Sequence, residues 1–300
     1  MAGQPIICRE APAKINLTLK VLGARPDGFH EIESWAVLLS WFDQLRLSPA
    51  GHLTLTLHGT TRGVPDGESN LAYRAALVMA EAAGRDPCVL IELEKRIPPG
   101  AGLGGGSSDA AAVLTGLNEL WGLGWSIDRL GEIAAGLGSD VPLFLDPWPA
   151  LLRGRGERLE RLKECWSGWV AVVVPPYGIP TADVYRQWDR HASSQPPGGH
   201  VWAADVRSAV ELAPLLFNDL ERAAFAYEPR LGHLRASLER EGGRPVRMTG
   251  SGSCLFAIFD SLAEAAGWQQ RVTDVLEEQT AIRVMHTMHG VPGRLTDEHN

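Results

Sequence analysis

The sequence predicts an α+β fold in two parts, and three observations carry that expectation. Short segments of alternating apolar and polar residues are interleaved with segments of helical spacing. A glycine-rich run interrupts them near residue 100. The second half reads strand, helices, strand, turn, strand, helix, strand, the pattern of a sandwich with helices on one face. Three hundred residues, 45% hydrophobic and 21% charged, can bury the core of two modest domains or one large one. The expected division lies near Arg161, giving a first domain over 1–160, a second over 161–290 and a polar, frayed tail over 291–300.

Each element has a local reason. Ile15, Leu17, Leu19 and Val21 alternate with polar neighbours, as do Leu53, Leu55 and Leu57, so both segments read as half-buried strands. Over Asn70–Ala83, Leu71, Ala75, Val78, Met79 and Ala82 recur at helical spacing, and Gly84 is a natural stop. A strand over Val89–Leu93 leads into the glycine run, after which Ser107 or Ser108 is the expected N-cap of a helix over Ala110–Leu120. In the second half, Trp169–Val174 is a short buried strand closed by Pro175-Pro176, and Ala192–His200 reads as an exposed loop. Helices are expected over Asn218–Ala226, Pro229–Glu241 (ended by Gly242-Gly243) and Leu262–Glu278, with strands over Val246–Met248, Cys254–Phe259 and Arg283–Thr287. There is no internal repeat. Trp121, Trp125 and Trp148 lie in apolar contexts and read as packing, and the sequence assigns no role to Trp202 or the Ala192–His200 loop.

The bulk properties exclude several classes. A net charge of −8 and a pI of about 5.6 argue against a nucleic-acid partner, though not against a locally positive site for a nucleotide. Cys8, Cys88, Cys165 and Cys254 lie far apart without metal-ligand spacing, so they are expected to be small core residues in a reducing compartment. No targeting segment and no apolar run of membrane-spanning length is present, so the expectation is a cytoplasmic protein with no membrane partner.

The strongest local signal is Pro98-Pro99-Gly100-Ala101-Gly102-Leu103-Gly104-Gly105-Gly106-Ser107-Ser108-Asp109. Five glycines in seven residues carry a heavy entropic cost on ordering, and what they provide is a surface free of side chains. Backbone N–H groups can then converge on an anion, at the positive end of the helix that follows, with the Ser107 and Ser108 hydroxyls as further donors. Phosphate binding is the chemistry that needs this arrangement. A P-loop fails because no lysine follows the glycines. Gly100, Gly102 and Gly105 satisfy G-x-G-x-x-G, but two prolines separate them from the preceding strand, against a dinucleotide fold. A flexible linker is the bland alternative, and the well-formed helix directly after the run opposes it.

Three segments together resemble the GHMP kinases: this run, Ala11-Pro12-Ala13-Lys14-Ile15-Asn16-Leu17, and Thr249-Gly250-Ser251-Gly252-Ser253-Cys254. Arg25-Pro26-Asp27-Gly28-Phe29-His30-Glu31, Gly138-Ser139-Asp140-Val141-Pro142 and Asn218-Asp219-Leu220-Glu221 resemble those members whose alcohol substrate carries a cytidine diphosphate group. The resemblance implies a ribosomal-protein-S5-like α/β N-terminal domain and a ferredoxin-like α+β sandwich at the C-terminus, with the active site between them. It further implies ATP as phosphoryl donor, Mg²⁺ delivered with the nucleotide rather than by a dedicated cage, and a monomer or weak homodimer. ATP is expected over Pro98, Pro99, Gly100, Ala101, Gly102, Leu103, Gly104, Gly105, Gly106, Ser107 and Ser108.

The remaining roles also rest on the resemblance. Asp140 taken alone is a helix cap or turn residue; the resemblance makes it the general base. Lys14 taken alone is a solvated lysine on an open sheet face; the resemblance makes it the partner of Asp140. Asn16 would hydrogen-bond the substrate. His30 matches the cytosine-reading histidine, beside Phe29, where the family commonly has Tyr, so stacking survives and a hydroxyl contact is lost. Tyr185 is either a second aromatic wall or a core tyrosine, and Thr181, Gly250 and Ser251 complete the expected substrate site. Two rivals remain: a GHMP kinase for another alcohol, of the homoserine or mevalonate type, and a non-catalytic nucleotide-binding protein. The Phe29-His30 segment opposes the first, and the Lys14 and Asp140 pair opposes the second.

Overall fold

The computed structural model describes residues 5–162, 165–191 and 206–288. The loop expected over Ala192–His200, Trp202 and the tail over 291–300 lie outside the described residues.

The chain opens with a long antiparallel hairpin, β1 (Ile7–Ala24) against β2 (His30–Pro49). Arg25–Phe29 form its turn, closed by Arg25 N–H donating to the Phe29 carbonyl at 2.7 Å, with Gly28 at φ +83°. Only the middle of β1 was expected, and β2 was not. The reason is visible in its burial: Trp35, Ala36, Val37, Leu38 and Leu39 are all covered, so both faces are apolar and no alternation marks the strand.

The rest of the first half follows expectation more closely. β3 (Thr54–Gly59) and β4 (Val89–Lys95) pair in parallel, connected through α1 (Leu71–Ala82), which Asn70 caps by accepting from Ala72 N–H. β4 adds to the end of β2 over Gln44–Pro49. Helix α2 (Gly105–Leu120) starts earlier than expected, and its N-cap is Gly104, not Ser107 or Ser108, which lie inside the first turn. A Cβ at position 104 would sit 2.8 Å from the Phe144 ring and 3.0 Å from Lys14 Cγ, so packing leaves no room for a capping side chain there. Helix α3 (Ile127–Leu137) has no counterpart among the expectations, although Ser126 caps it and Leu130, Ala134 and Leu137 bury its inner face. The hairpin β5 (Ala150–Gly154) and β6 (Arg158–Arg161) completes this half, with β5 pairing to the start of β2.

In the second half, β7 (Trp169–Val174) matches its expected range. Then come α4 (Thr181–His191), α5 (Ala209–Leu212), β8 (Phe217–Asn218), α6 (Glu221–Tyr227), α7 (Pro229–Gly242), β9 (Arg247–Met248), β10 (Leu255–Phe259), α8 (Leu262–Val272) and β11 (Ala281–Met288). The α4 helix was not expected. Asn218 stands just before α6 rather than in it: its Oδ1 accepts from Leu220 N–H, and its Nδ2 donates to the Met248 and Gly250 carbonyls, both at 2.8 Å. Strand β11 pairs with β7 along most of its length and with β2 through Thr287 and Met288, so the sheets of both halves are hydrogen-bonded into one. One buried cluster joins them too, packing Ile15, Val37 and Leu103 with Trp166, Val172 and Phe256. The cysteines depart from expectation: only Cys254 is buried, and Cys8 is exposed on β1.

Candidate active site

The glycine loop is held from two sides. Lys14 N–H of β1 donates to the Leu103 carbonyl at 2.9 Å, and Cys254 N–H donates to the Ala101 carbonyl at 3.3 Å. Thr249 Oγ accepts from Asn16 N–H at 3.0 Å and reaches the Gly102 carbonyl at 3.4 Å. A side chain at Gly102 would overlap the Thr249 carbonyl oxygen, so this glycine lets two backbones meet. The loop and the first turn of α2 border a cavity of about 650 Å³. Of the expected ATP-binding run, Gly102, Gly104 and Ser107 line that cavity. Ala101, Leu103, Gly105 and Ser108 are buried behind them, while Pro98, Pro99, Gly100 and Gly106 lie off the lining.

On the cavity floor stand Lys14 and Asp140. Lys14 is 4% exposed, so it is not a solvated lysine. Its Nζ donates to Asn16 Oδ1 at 2.6 Å and lies 3.6 Å from Asp140 Oδ2. Asn16 Nδ2 in turn donates to Ser34 Oγ at 2.7 Å, which donates to the Thr18 carbonyl at 2.6 Å. This chain of donors fixes the Asn16 amide with its oxygen toward the lysine, so Asn16 is a buried support for Lys14 as well as a lining residue. Asp140 follows the Gly138-Ser139 turn and precedes a short 3₁₀ turn over Val141–Leu145, yet its carboxylate makes no capping hydrogen bond. A third of its side chain remains exposed. The arrangement offers one carboxylate open to the cavity and one buried ammonium beside it.

Another part of the lining is aromatic. The His30 ring stacks on Tyr185, with centroids 4.6 Å apart at 27°, meets Trp188 edge-on at 5.6 Å, and places Nε2 at 2.8 Å from Asp189 Oδ1. Phe29 is 47% exposed and carries the Arg155 guanidinium over its ring at 4.8 Å. Tyr185 therefore lies against His30, and the neighbour across the Phe29 ring is Arg155. Burial and the nearby Asp140 charge push the Tyr185 phenol up, so it stays protonated as a donor. Thr181 and Ser251 hydroxyls meet at 2.7 Å, joining α4 to the 249–253 turn, and Gly250 packs close to Lys14 Nζ.

Sequence reasoning missed Arg155, Arg186 and Asp189, all of which line the cavity. Asp189 had a usable signal, since it follows Tyr185 by one helical turn on α4. Arg155, in the β5–β6 turn, had none; its Nη2 donates to the Ala135 carbonyl at 2.8 Å, which holds the guanidinium in place.

A second charged cluster lies beneath the loop and off the cavity lining. Lys95 Nζ bonds Asp43 and, at 2.6 Å, Asp109, and all three side chains are buried. Asp43 also accepts from the N–H groups of Arg96 and Ile97 at 2.5 and 2.8 Å. Burial alone would lower the Lys95 pKa, but the two carboxylates outweigh it and the net shift is upward. Burial, reinforced by Asp43, pushes Asp109 up to about 8. Among the described residues, no group of three or more His, Cys, Asp or Glu side chains is gathered as a metal cage, and no helix is long and apolar enough to cross a membrane.

The models of the GHMP kinase N-terminal and C-terminal domains match residues 70–146 and 201–278. A 4-diphosphocytidyl-2-C-methyl-D-erythritol kinase of Pelotomaculum thermopropionicum is 40% identical over 264 residues, covering 87% of this chain and 91% of its own. One of Citrifermentans bemidjiense is 39% identical over 268 residues, covering 86% and 95%. The crystal structure of a 4-(cytidine 5'-diphospho)-2C-methyl-D-erythritol kinase superimposes with a TM-score of 0.79 at 37% identity, over 95% of this chain and all of that one. The fold is thus the two-domain α+β GHMP fold. The chain belongs to the 4-diphosphocytidyl-2-C-methyl-D-erythritol kinase family of the GHMP kinases.

Proposed function

We propose that this chain transfers the γ-phosphoryl group of ATP to the 2-hydroxyl of 4-diphosphocytidyl-2-C-methyl-D-erythritol, in the methylerythritol phosphate route to isoprenoid precursors. The single observation that carries the chemistry is Lys14 Nζ, 3.6 Å from Asp140 Oδ2, at the floor of a cavity bordered by the glycine loop. Asp140 is the group that takes the hydroxyl proton as the oxygen attacks the γ-phosphorus and ADP leaves. Lys14, held by Asn16, keeps positive charge beside the attacking oxygen and the incoming phosphoryl group.

The phosphates of ATP find the cavity-lining backbone at Gly102 and Gly104 and the N-terminus of the sixteen-residue α2 helix, with the Ser107 hydroxyl as a further donor. Mg²⁺ bound with the nucleotide would neutralise phosphate charge, and Ser107, Ser139 and Asp140 are the side-chain oxygens lining the cavity on that side. At the aromatic part of the lining the cytidine base meets Phe29 and His30, while Arg155 and Arg186 supply the cationic side chains for the diphosphate.

The test is ATP consumption against a panel of alcohols including the diphosphocytidyl one, homoserine and mevalonate. Turnover is expected with the diphosphocytidyl alcohol; activity on another member alone would sink the assignment. In the same assay His30→Ala should raise KM for the diphosphocytidyl substrate by about tenfold and leave KM for ATP near its original value.

A further inference from the structure

Asp189 lies one turn beyond Tyr185 on α4, so the two side chains rise from the same face of the helix. Its Oδ1 stands 2.8 Å from His30 Nε2. An ionised carboxylate has no hydrogen to give, so the imidazole is the donor and Nε2 carries the hydrogen. In the neutral ring this leaves Nδ1 with a lone pair alone. Among the described residues nothing hydrogen-bonds Nδ1, and the ring lines the cavity. Turning the ring over would break the Asp189 bond, and the stack on Tyr185 with the Trp188 edge contact confines it further.

A nitrogen that can only accept has a definite preference between pyrimidines. Cytosine presents an exocyclic amine, a donor, where uracil presents a carbonyl oxygen, an acceptor. Against Nδ1 the first makes a hydrogen bond and the second sets lone pair against lone pair, leaving a desolvated acceptor unmatched. We infer that Asp189 is a positioning residue that selects cytosine over uracil by holding His30 in its Nε2–H tautomer. The inference rests on the cytidine reading given above. Asp189 itself is 45% exposed at the side chain and does not need to touch the base; it acts through the direction of one hydrogen bond.

Two measurements on the full-length chain test this. The first is the inhibition constant of CDP and of UDP, each competing with the diphosphocytidyl substrate, for the original protein and for Asp189→Ala. The original protein should prefer CDP by about tenfold or more. The variant should bring the two within about threefold, largely by binding UDP better, as the Nδ1–H tautomer becomes available. KM for ATP serves as the check that the fold is intact. The second is the ¹⁵N spectrum of the His30 ring, which reports its tautomer without any nucleotide: Nε2–H before substitution and a mixture after it. An unchanged CDP-to-UDP ratio, an equal loss for both, or an imidazolium at His30 in the original protein would overturn the proposal. Failure of the original protein to bind either nucleotide would instead overturn the cytidine reading, and this inference with it.

Discussion

Two lysines flank the glycine loop, and they show how one residue type serves two purposes. Lys14 and Lys95 are both almost wholly buried, at 4% and 3% exposure. Lys14 approaches a single carboxylate, Asp140, at 3.6 Å, and that carboxylate opens on the cavity. Lys95 is clamped by two carboxylates that are themselves buried, one of which also accepts two backbone N–H groups. The first pair is loose and its carboxylate is open to the cavity, as the proposed proton transfer from a substrate hydroxyl requires. The second ties β2, β4 and the start of α2 together below the loop, as a structural joint. Burial of the cation is common to both sites; what separates the pair proposed for catalysis is the exposure of its carboxylate.

The largest effect expected is on turnover. Asp140→Asn keeps the shape and removes the proposed base, so kcat should fall by about 10²–10⁴-fold, while the thermal midpoint moves little because the ion pair is partly solvated. A variant with near-normal turnover would break the contrast between the lysines. Next comes stability. Lys95→Met leaves two buried carboxylates without their cation and should cost roughly 3–5 kcal/mol in urea unfolding. A Lys95→Met protein that unfolds normally but turns over slowly would show Lys95 to be part of the chemistry.

The smallest effect is a pH dependence. Burial beside Asp43 holds the Asp109 pKa in the folded chain above the 3.8 of an unperturbed aspartate, against the pull of Lys95. Between the unfolded and the folded pKa the unfolded state has released the proton and the folded state has not, so stability falls as pH rises. Asp109→Asn removes that group from the balance. Its thermal midpoint should decline less steeply than that of the original protein between pH 5 and 8. Parallel profiles would mean that Asp109 is already ionised, with the Lys95 ammonium shared between two carboxylates.

Features fixed by neighbours in the chain were legible. The apolar spacing of α1, the glycine stop of α7, and the apolar run of β7 all depend on residues within a few positions. The glycine run pointed to phosphate because its chemistry lies in consecutive backbone N–H groups. Strand β2 was illegible because both its faces are covered by elements distant in sequence, which erases the alternation that marks a strand. The cap of α2 was misplaced because Phe144 and Lys14 crowd Gly104, and neither is near it in the chain. Lys14, Asp140, Phe29 and His30 were found through motif resemblance. Arg155 and Asp189 belong to no such motif and emerged only when β5, β6 and α4 were set around the cavity.

By itself, then, the sequence determined the parts: a glycine-rich backbone of the kind that holds phosphates, a lysine and an aspartate in recognisable surroundings, and an aromatic ring directly before a histidine. Only the tertiary structure decided which lysine meets which carboxylate, that Asn16 supports Lys14, and that Asp189 faces His30. The physical reason is range. Helical and strand periods are set by residues a few positions apart, whereas hydrogen bonds and ion pairs act over a few ångströms between segments that only folding brings together.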